Sequence, residues 1–336
     1  MEPDRLFIVV PCYNEQEVLR ETARRLVERL GILRDKGLAA ASSRILFVDD
    51  GSGDATWEMI EALHGDHAEI QGLKLSRNRG HQNALFAGLM AVRHLADVTI
   101  SMDADLQDDI AAMDAMLEKY RSGADIVYGV RDRRKTDSFF KRATAQSFYK
   151  LMGRMGAETV YNHADYRLMS ARALAALSSF SEVNLFLRGL VPMVGYPSEI
   201  VFYERGERFA GKSKYPLGKM LHFATEGVTS LSVRPIRMIT TLGFLIFFVS
   251  IATIVYSLVR YFTGQTITGW TTTVLSVWAI GGLIMISLGV IGEYIGKIYL
   301  ESKHRPRFLI DTYLGDEDET ADCTDPANAA ARMETV

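Results

Sequence analysis

Short apolar runs rich in Ile, Val and Leu recur at residues 6–10, 44–48, 70–75, 98–102 and 125–128, each followed by polar or glycine-containing residues. Runs this short and this continuous predict strands buried on both faces. Between them the apolar spacing changes to that of a helix. Val18, Leu19, Leu26, Val27 and Leu30 form one stripe of a helix reaching about Arg34. Further helices are expected from after Asp54, a good N-cap, to about His64, from the 76–83 loop to His94, and over 110–121. This alternation predicts an α/β domain: a doubly wound, mostly parallel sheet with helices on both faces. In such sheets ligands bind beyond the carboxyl ends of the strands, and the polar segments 11–15, 49–54, 76–83 and 103–108 all fall there. A shared cleft explains the four together, although each alone reads equally as a polar loop.

The pattern changes after the fifth run. Residues 131–142 carry six basic residues against two acids, a solvated basic loop or a site for phosphate and anionic headgroups. Asp165 precedes a short β-like segment, and 191–203 reads as a loop and a strand. The basic stretch 204–216 contains Gly206 and Gly211, which permit hinge conformations, and Arg208 and Lys214, which can meet negative charge on a phosphate. Residues 217–231 place Leu217, Met220, Leu221, Ala224, Val228 and Leu231 on one helical side, to pack on the soluble domain or to lie in a membrane interface. Residues 238–259 and 261–292 are uncharged for 22 and 32 positions, and each supplies the apolar length of a bilayer span. Two transmembrane helices are therefore expected.

Basic residues flank these spans (Arg234 and Arg237 before; Lys297, Lys303, Arg305 and Arg307 after), while the connection 260–271 holds one. By that asymmetry both termini and the α/β domain are expected in the cytoplasm, on a multi-pass protein of the inner (plasma) membrane. The first residues show no signal-peptide pattern. The expected organisation is an α/β domain over 1–216, an amphipathic interfacial helix over 217–233, the two-helix membrane region 234–300 and a cytoplasmic tail over 301–336, acidic and largely disordered after Asp311.

Composition narrows the class. The chain has 336 residues, room for about two domains, and its two cysteines, Cys12 and Cys323, cannot build a disulfide framework. Nucleic acid is a less attractive partner, because the chain is net acidic at -3 and its basic run lies among membrane-related features. No G-x-G-x-x-G follows the first strand and no G-x-x-x-x-G-K-[ST] occurs, which argues against a dinucleotide-dependent dehydrogenase and a P-loop NTPase.

Candidate chemistry centres on Asp103-Ala-Asp105, where an apolar strand ends in two acids. On an extended segment that spacing sends both side chains to one side, where they repel. Mg²⁺ or Mn²⁺ held by one or two carboxylates and substrate phosphates would relieve the repulsion. The alternative is an acidic turn capping the next helix through Asp108 and Asp109. Asp49-Asp50 ends the second strand, where an acid accepts hydrogen bonds from a ribose or a base, or caps the helix that follows.

Taken together, Val9-Val-Pro-Cys-Tyr-Asn-Glu15, Phe47-Val-Asp-Asp-Gly-Ser52, Asn78-Arg-Gly-His-Gln82, Asp103-Ala-Asp-Leu-Gln107, Ala164-Asp-Tyr-Arg-Leu168 and Gly211-Lys-Ser-Lys-Tyr215 resemble the polyprenyl-phosphate glycosyltransferases of glycosyltransferase family 2, in particular the bactoprenol glucosyltransferases related to dolichol-phosphate mannose synthase. The resemblance covers about residues 5–305 and implies a GT-A fold followed by the two membrane helices. It implies that Pro11, Tyr13, Glu15 and Asp49 line the nucleotide pocket, and that Asp103, Asp105 and Gln107 hold Mg²⁺ or Mn²⁺ on the donor diphosphate. Asp105 is expected to be the direct ligand, with Asp103 on the ribose or a metal-bound water. Asp165 matches the acid assigned as catalytic base, and Arg131 and Arg142 match the arginines that hold the lipid phosphate. Gln146 stands where the family has a hydroxyl partner, and Arg79 where it often has an aromatic residue. Arg208, Ser213 and Lys214 match a mobile loop that closes over the diphosphate.

The implied reaction is an inverting transfer of glucose from UDP-glucose to polyprenyl phosphate. UDP-N-acetylglucosamine, UDP-galactose, a UDP-arabinose derivative or GDP-mannose are alternative donors, and a non-catalytic membrane-anchored nucleotide-sugar binder is the alternative class. The resemblance also implies a homotetramer, a separate flippase and a downstream glycosyltransferase. The base assignment carries its own objection. A phosphate monoester with a second pKa of about 6 is already mostly a dianion at neutral pH, so removing a proton from it gains little.

Overall fold

The computed structural model describes residues 3–131, 163–183, 185–204, 234–263 and 269–315. The first apolar run forms β1 (Leu6–Cys12), buried at every position because helices cover both its faces. Its alternation divides two cores. Leu6, Ile8 and Val10 pack with α1 (Leu19–Asp35), α2 (Thr56–Asp66) and α4 (Ala112–Arg121). Phe7 and Val9 pack with α3 (His81–Val92), α5 (Ala171–Ser178) and α6 (Leu187–Met193). Gly88 lets α3 lie close to the sheet, since a Cβ there would stand 2.6 Å from methyl groups of Val9 and Val48. Element ends differ from expectation by a few residues, as frayed helix termini do.

The remaining strands are β2 (Arg44–Asp49), β3 (Ile70–Leu75), β4 (Val98–Ser101), β5 (Ile126–Arg131), β6 (His163–Ser170), β7 (Ser198–Tyr203) and β8 (Ile310–Leu314). They form an eight-stranded sheet in the order β7-β5-β6-β4-β1-β2-β3-β8. The expected parallel arrangement holds for β4-β1-β2-β3 and for β5-β7. The sheet as a whole is mixed, because β6 runs antiparallel between β4 and β5, and β8 runs antiparallel along β3. Alternation of strand and helix detects crossover units, and neither antiparallel strand belongs to one.

β8 corrects a second expectation. Order was expected to end near Asp311, yet residues 310–314 pair with the edge of β3, and the Tyr313 hydroxyl donates to Gln71 Oε1 at 2.9 Å. An edge strand left bare invites pairing with other chains, and β8 covers this one. By contacts the described residues divide into two compact units, and residues 305–315 belong to the one that holds the sheet.

The second unit contains the helices α7 (Arg234–Phe262) and α8 (Trp270–Ser302). Among the described residues one helical stretch, Ala279–Ser302 with mean hydropathy 1.7, is long and apolar enough to cross a membrane. The apolar stretch Ile239–Thr253 within α7 is shorter, so only one of the two expected spans meets that test. The amphipathic stretch 217–231, the basic run beyond Arg131 with Arg142 and Gln146, and the loop with Arg208, Ser213 and Lys214 lie outside the described residues.

Candidate active site

The loops leaving β1, β2 and β3 are tied to one another at the carboxyl edge of the sheet. Asn14, at φ 53°, donates its N–H to Ser52 Oγ at 3.0 Å, and its own Oδ1 accepts from the Gly53 N–H at 2.9 Å. The Glu15 N–H donates to Thr56 Oγ1 at 3.0 Å. Pro11 closes β1 while Tyr13 is 44% exposed at the edge. Asp49 is fully buried at the end of β2, and burial raises its carboxyl pKa although the Ser52 N–H opposes this from 3.3 Å.

Asp50 is not a helix cap. Its carboxylate accepts from the N–H groups of Arg79 at 2.7 Å and Gly80 at 2.9 Å, which clamps the third loop against the second. The closeness requires Gly51: its φ is +65°, and a Cβ there would lie 2.6 Å from the Arg77 carbonyl carbon. Asp54 stands one residue ahead of Ala55, the N-cap of α2, and accepts from the Thr56 N–H at 3.0 Å.

Past β4 the picture departs from an extended strand. β4 ends at Ser101, and Asp103-Ala-Asp105 lies in a turn that ends on Leu106 at φ 56°. The two acids are therefore inequivalent rather than side by side. Asp105 Oδ1 accepts from the Gln107 N–H at 3.1 Å, and Gln107 itself is buried. Asp103 turns to other partners. Ser101 pairs with Arg167 across the antiparallel β4–β6 ladder, and continuing that register sets Asp103 opposite Asp165.

His81, the first residue of α3, stands between them. Its Nε2 lies 3.6 Å from Asp103 Oδ1 and 3.4 Å from Asp165 Oδ2. Asp165 also accepts from Arg167 Nη2 at 2.7 Å, and from Arg188 Nη2 at 3.1 Å and Nε at 3.3 Å. The Leu187 N–H donates to Gln82 Oε1 at 2.8 Å, so α6, which carries Arg188, is tied to the start of α3.

The electrostatics separate the two acids. Burial pushes Asp103 up to about 6; Asp108, Asp165 and Asp105 push the same way, and His81 opposes them. Burial would also raise Asp165, but Arg188, His81 and Arg167 hold it well below the usual carboxylate range. Burial disfavours charge on His81, and the Asp165 and Asp103 carboxylates outweigh it and raise the imidazole pKa.

This crowding of acids around Asp103 fits a divalent cation, and oxygen donors suit Mg²⁺ or Mn²⁺. Among the described residues no cluster of three or more His, Cys, Asp or Glu could hold an ion unaided. A divalent cation at such a turn would take one or two carboxylates, its remaining positions going to substrate oxygens and water. Asp105 and Asp103 are the residues that would hold it, with Gln107 on the same turn.

Asp109 accepts from the Ala111 N–H at 2.9 Å on the approach to α4. Asp108 is buried, accepts from the Tyr203 hydroxyl at 2.5 Å and lies 3.5 Å from Arg131 Nη2. Arg131 thus reaches the carboxyl end of β5 already engaged, its Nε donating to Tyr203 at 3.1 Å.

Four residues of this constellation, His81, Arg167, Arg188 and Tyr203, had no role in the sequence reading. The available signal was weak. Arg167 and Arg188 are single arginines inside apolar segments, Tyr-Arg167-Leu-Met and Leu-Phe-Leu-Arg188-Gly-Leu, where a charge needs a partner.

A family model described as Glycosyl transferase family 2 matches residues 7–177. The uncharacterized glycosyltransferase YkoT of Bacillus subtilis (strain 168) is 51% identical over 312 residues, 93% of this chain and 93% of that protein. The bactoprenol glucosyl transferase of Shigella phage SfV is 37% identical over 311 residues, 91% of this chain and 98% of its own length. Among solved structures, glucosyl-3-phosphoglycerate synthase from Mycobacterium tuberculosis in complex with phosphoglyceric acid covers 68% of this chain and 79% of its own, at 15% identity and a TM-score of 0.46.

Proposed function

This chain belongs to glycosyl transferase family 2, and on that footing we propose that it transfers glucose from UDP-glucose to a polyprenyl phosphate at the cytoplasmic face of the membrane. The observation that carries the reading is the bridge from Asp103 through His81 to Asp165, which joins the turn suited to a nucleotide diphosphate to a buried, ionised acid. A relative named for bactoprenol glucosyl transfer, similar over nine-tenths of the chain, supports the choice of sugar and acceptor.

In this reading an acceptor phosphate oxygen attacks the anomeric carbon, the bond from that carbon to the diphosphate oxygen breaks, and UDP leaves with inversion, giving a β-linked lipid phosphate sugar. Asp49 receives the nucleoside through hydrogen bonds, beside Pro11, Tyr13 and Glu15. Asp105 and Asp103 hold the divalent cation, which when bound supplies Lewis-acid stabilisation of the diphosphate oxygens. Arg208, Ser213 and Lys214 close on the same diphosphate, and Arg131, Arg142 and Gln146 receive the acceptor phosphate. Asp165 is a poor proton acceptor, because the neighbouring cations keep it ionised far below neutral pH. It serves instead to orient its cationic neighbours and to stabilise positive charge developing at the anomeric carbon.

A topological argument supports two membrane spans. β7 and β8 belong to one sheet, so the chain leaves it after Tyr203 and rejoins it at Ile310. A segment that starts and ends on one side of a membrane crosses it an even number of times. α7 and α8 therefore cross together if α8 crosses at all.

The test is an assay of the purified full chain with radiolabelled UDP-glucose, Mg²⁺ or Mn²⁺, and undecaprenyl phosphate. Labelled lipid is expected, and its formation should stop on addition of EDTA. No labelled lipid with any UDP-sugar tried would reject the transferase reading.

A further inference from the structure

We propose that Tyr203 is a positioning residue for recognition of the lipid phosphate: its hydroxyl, oriented by Asp108, sets the Arg131 guanidinium where the acceptor phosphate is received. This role rests on the acceptor contact given to Arg131 above, and it belongs to a residue that the transfer as proposed does not use.

The placement comes from the sheet. β5 and β7 run parallel, and Arg131 and Tyr203 are partners on the last rung of their ladder, at the carboxyl edge. Asp108 follows the turn that carries Asp103 and Asp105 and reaches the same rung. One oxygen joins the three. Arg131 Nε donates to the Tyr203 hydroxyl at 3.1 Å, the hydroxyl lies 2.5 Å from Asp108 Oδ1, and Arg131 Nη2 lies 3.5 Å from that same Oδ1.

Chemistry fixes the direction of these bonds. A guanidinium has donors and no acceptor, and a carboxylate has acceptors and no donor. The phenol therefore accepts from Arg131, and its single proton goes to Asp108. Burial and the Asp108 carboxylate both push the Tyr203 pKa up, so the proton stays on the phenol. Tyr203 thus keeps a lone pair turned to Arg131.

Packing alone does not call for the hydroxyl. The Tyr203 ring meets the Tyr166 ring edge-on at a centroid distance of 5.2 Å, a contact that phenylalanine would make as well. Tyr203 and Asp108 are both buried, and a buried carboxylate costs more than an apolar residue in its place. What such a network supplies is a fixed geometry. Geometry matters most for Arg131, the member of the ion pair that reaches solvent, its side chain 25% exposed. A planar guanidinium recognises phosphate through the angle of its fork, and a side chain already held loses less freedom on binding. Asp103 joins Tyr203 and Asp108 in raising the Arg131 pKa against burial, so this guanidinium lies within electrostatic reach of the turn assigned to the donor diphosphate.

The full-length chain in lipid nanodiscs carries the test as a double-mutant cycle of wild type, Tyr203→Phe, Arg131→Met and the double variant. Initial rates are measured while varying undecaprenyl phosphate at saturating UDP-glucose and then the reverse. Loss of the hydroxyl alone should raise the KM for the lipid by about 10-fold, the scale of one hydrogen bond to a charged group. The KM for UDP-glucose should stay within about twofold of wild type, because the ladder holds the β7 backbone with or without the hydroxyl. Arg131→Met should itself raise the lipid KM. In that background Tyr203→Phe should change it by less than about twofold, since the tyrosine acts through the arginine.

An unchanged lipid KM in Tyr203→Phe or in Arg131→Met overturns the proposal, as does a donor KM that rises as much as the lipid KM. So does an equal effect of Tyr203→Phe with and without Arg131, which is what a purely structural tyrosine gives. Binding of nanodiscs containing undecaprenyl phosphate, against nanodiscs containing the unphosphorylated polyprenol, is measured with Mn²⁺–UDP bound and without turnover. Wild type should prefer the phosphorylated lipid, and Tyr203→Phe should lose about 10-fold of that preference. If the wild type transfers no glucose, the proposed function fails and this arm still decides: a preference retained in full by Tyr203→Phe, or absent from the wild type, overturns the positioning role.

Discussion

Asp165 is held by Arg167, Arg188 and His81 so firmly as the anion that its mutation tests the role of a base directly. We expect Asp165→Asn to lower kcat by about 10²-fold, the usual cost of a lost electrostatic partner at a reacting centre. The sign of the pH dependence follows from the direction of the shift. A carboxyl held well below its ordinary range is ionised throughout the neutral region, so Asp165 contributes no rising limb there. The pH–rate profiles of wild type and variant between pH 5.5 and 8.5 should therefore have the same shape, and recovery of the variant's rate at high pH would restore the base. A second substitution separates the two acids of the turn. Asp105→Ala should weaken Mn²⁺-dependent UDP binding more than Asp103→Ala, measured by calorimetry, because Asp103 is already turned toward His81. At this scale the sequence named the loops that the structure gathers at the carboxyl edge and most of the acids in them. It did not show the cations that answer them, because a lone arginine in an apolar run declares only that it needs a partner, not which one.

The elements owe their positions to a few demanding contacts. Gly51 is one, since its positive φ and the Arg77 backbone leave no room for a side chain. Gly51→Ala should destabilise the fold by about 2–4 kcal/mol and raise the KM for the donor, read from thermal unfolding and initial rates, because the 49–54 and 76–80 loops must separate. Beside β3, at the lateral edge of the sheet, β8 closes it. Tyr313→Phe removes the buried hydrogen bond to Gln71 and should cost about 1 kcal/mol, visible as a lower unfolding midpoint in detergent. In the sheet domain six strands, β1–β5 and β7, and the four helices α1–α4 were legible because burial on one or both faces imposes a local period on the sequence. β6 and β8 carried little such signal, one beginning with polar residues and the other set in an acidic tail.

For the whole molecule, a membrane crossing by α8 would have to be matched by a return, because β7 and β8 share one sheet. If α7 and α8 span the membrane, a cysteine at Thr266→Cys in the connection 264–268 should react with an impermeant maleimide in intact cells. Lys303→Cys should react only after permeabilisation, and labelling of both sites from outside would remove the two-span topology. The positive-inside bias, the lengths of the apolar runs and the alternation that defines the catalytic sheet are all properties of the sequence by itself. Each reflects the energy of placing a residue in water, protein or lipid, which acts locally along the chain. What only the tertiary structure decided is the insertion of β6 between β4 and β5, and with it the meeting of Asp103 and Asp165 across a bond between residues 64 apart, Ser101 Oγ to the Asp165 carbonyl. Strand partners so distant are selected by packing against the finished sheet, and such a choice leaves no local pattern to read.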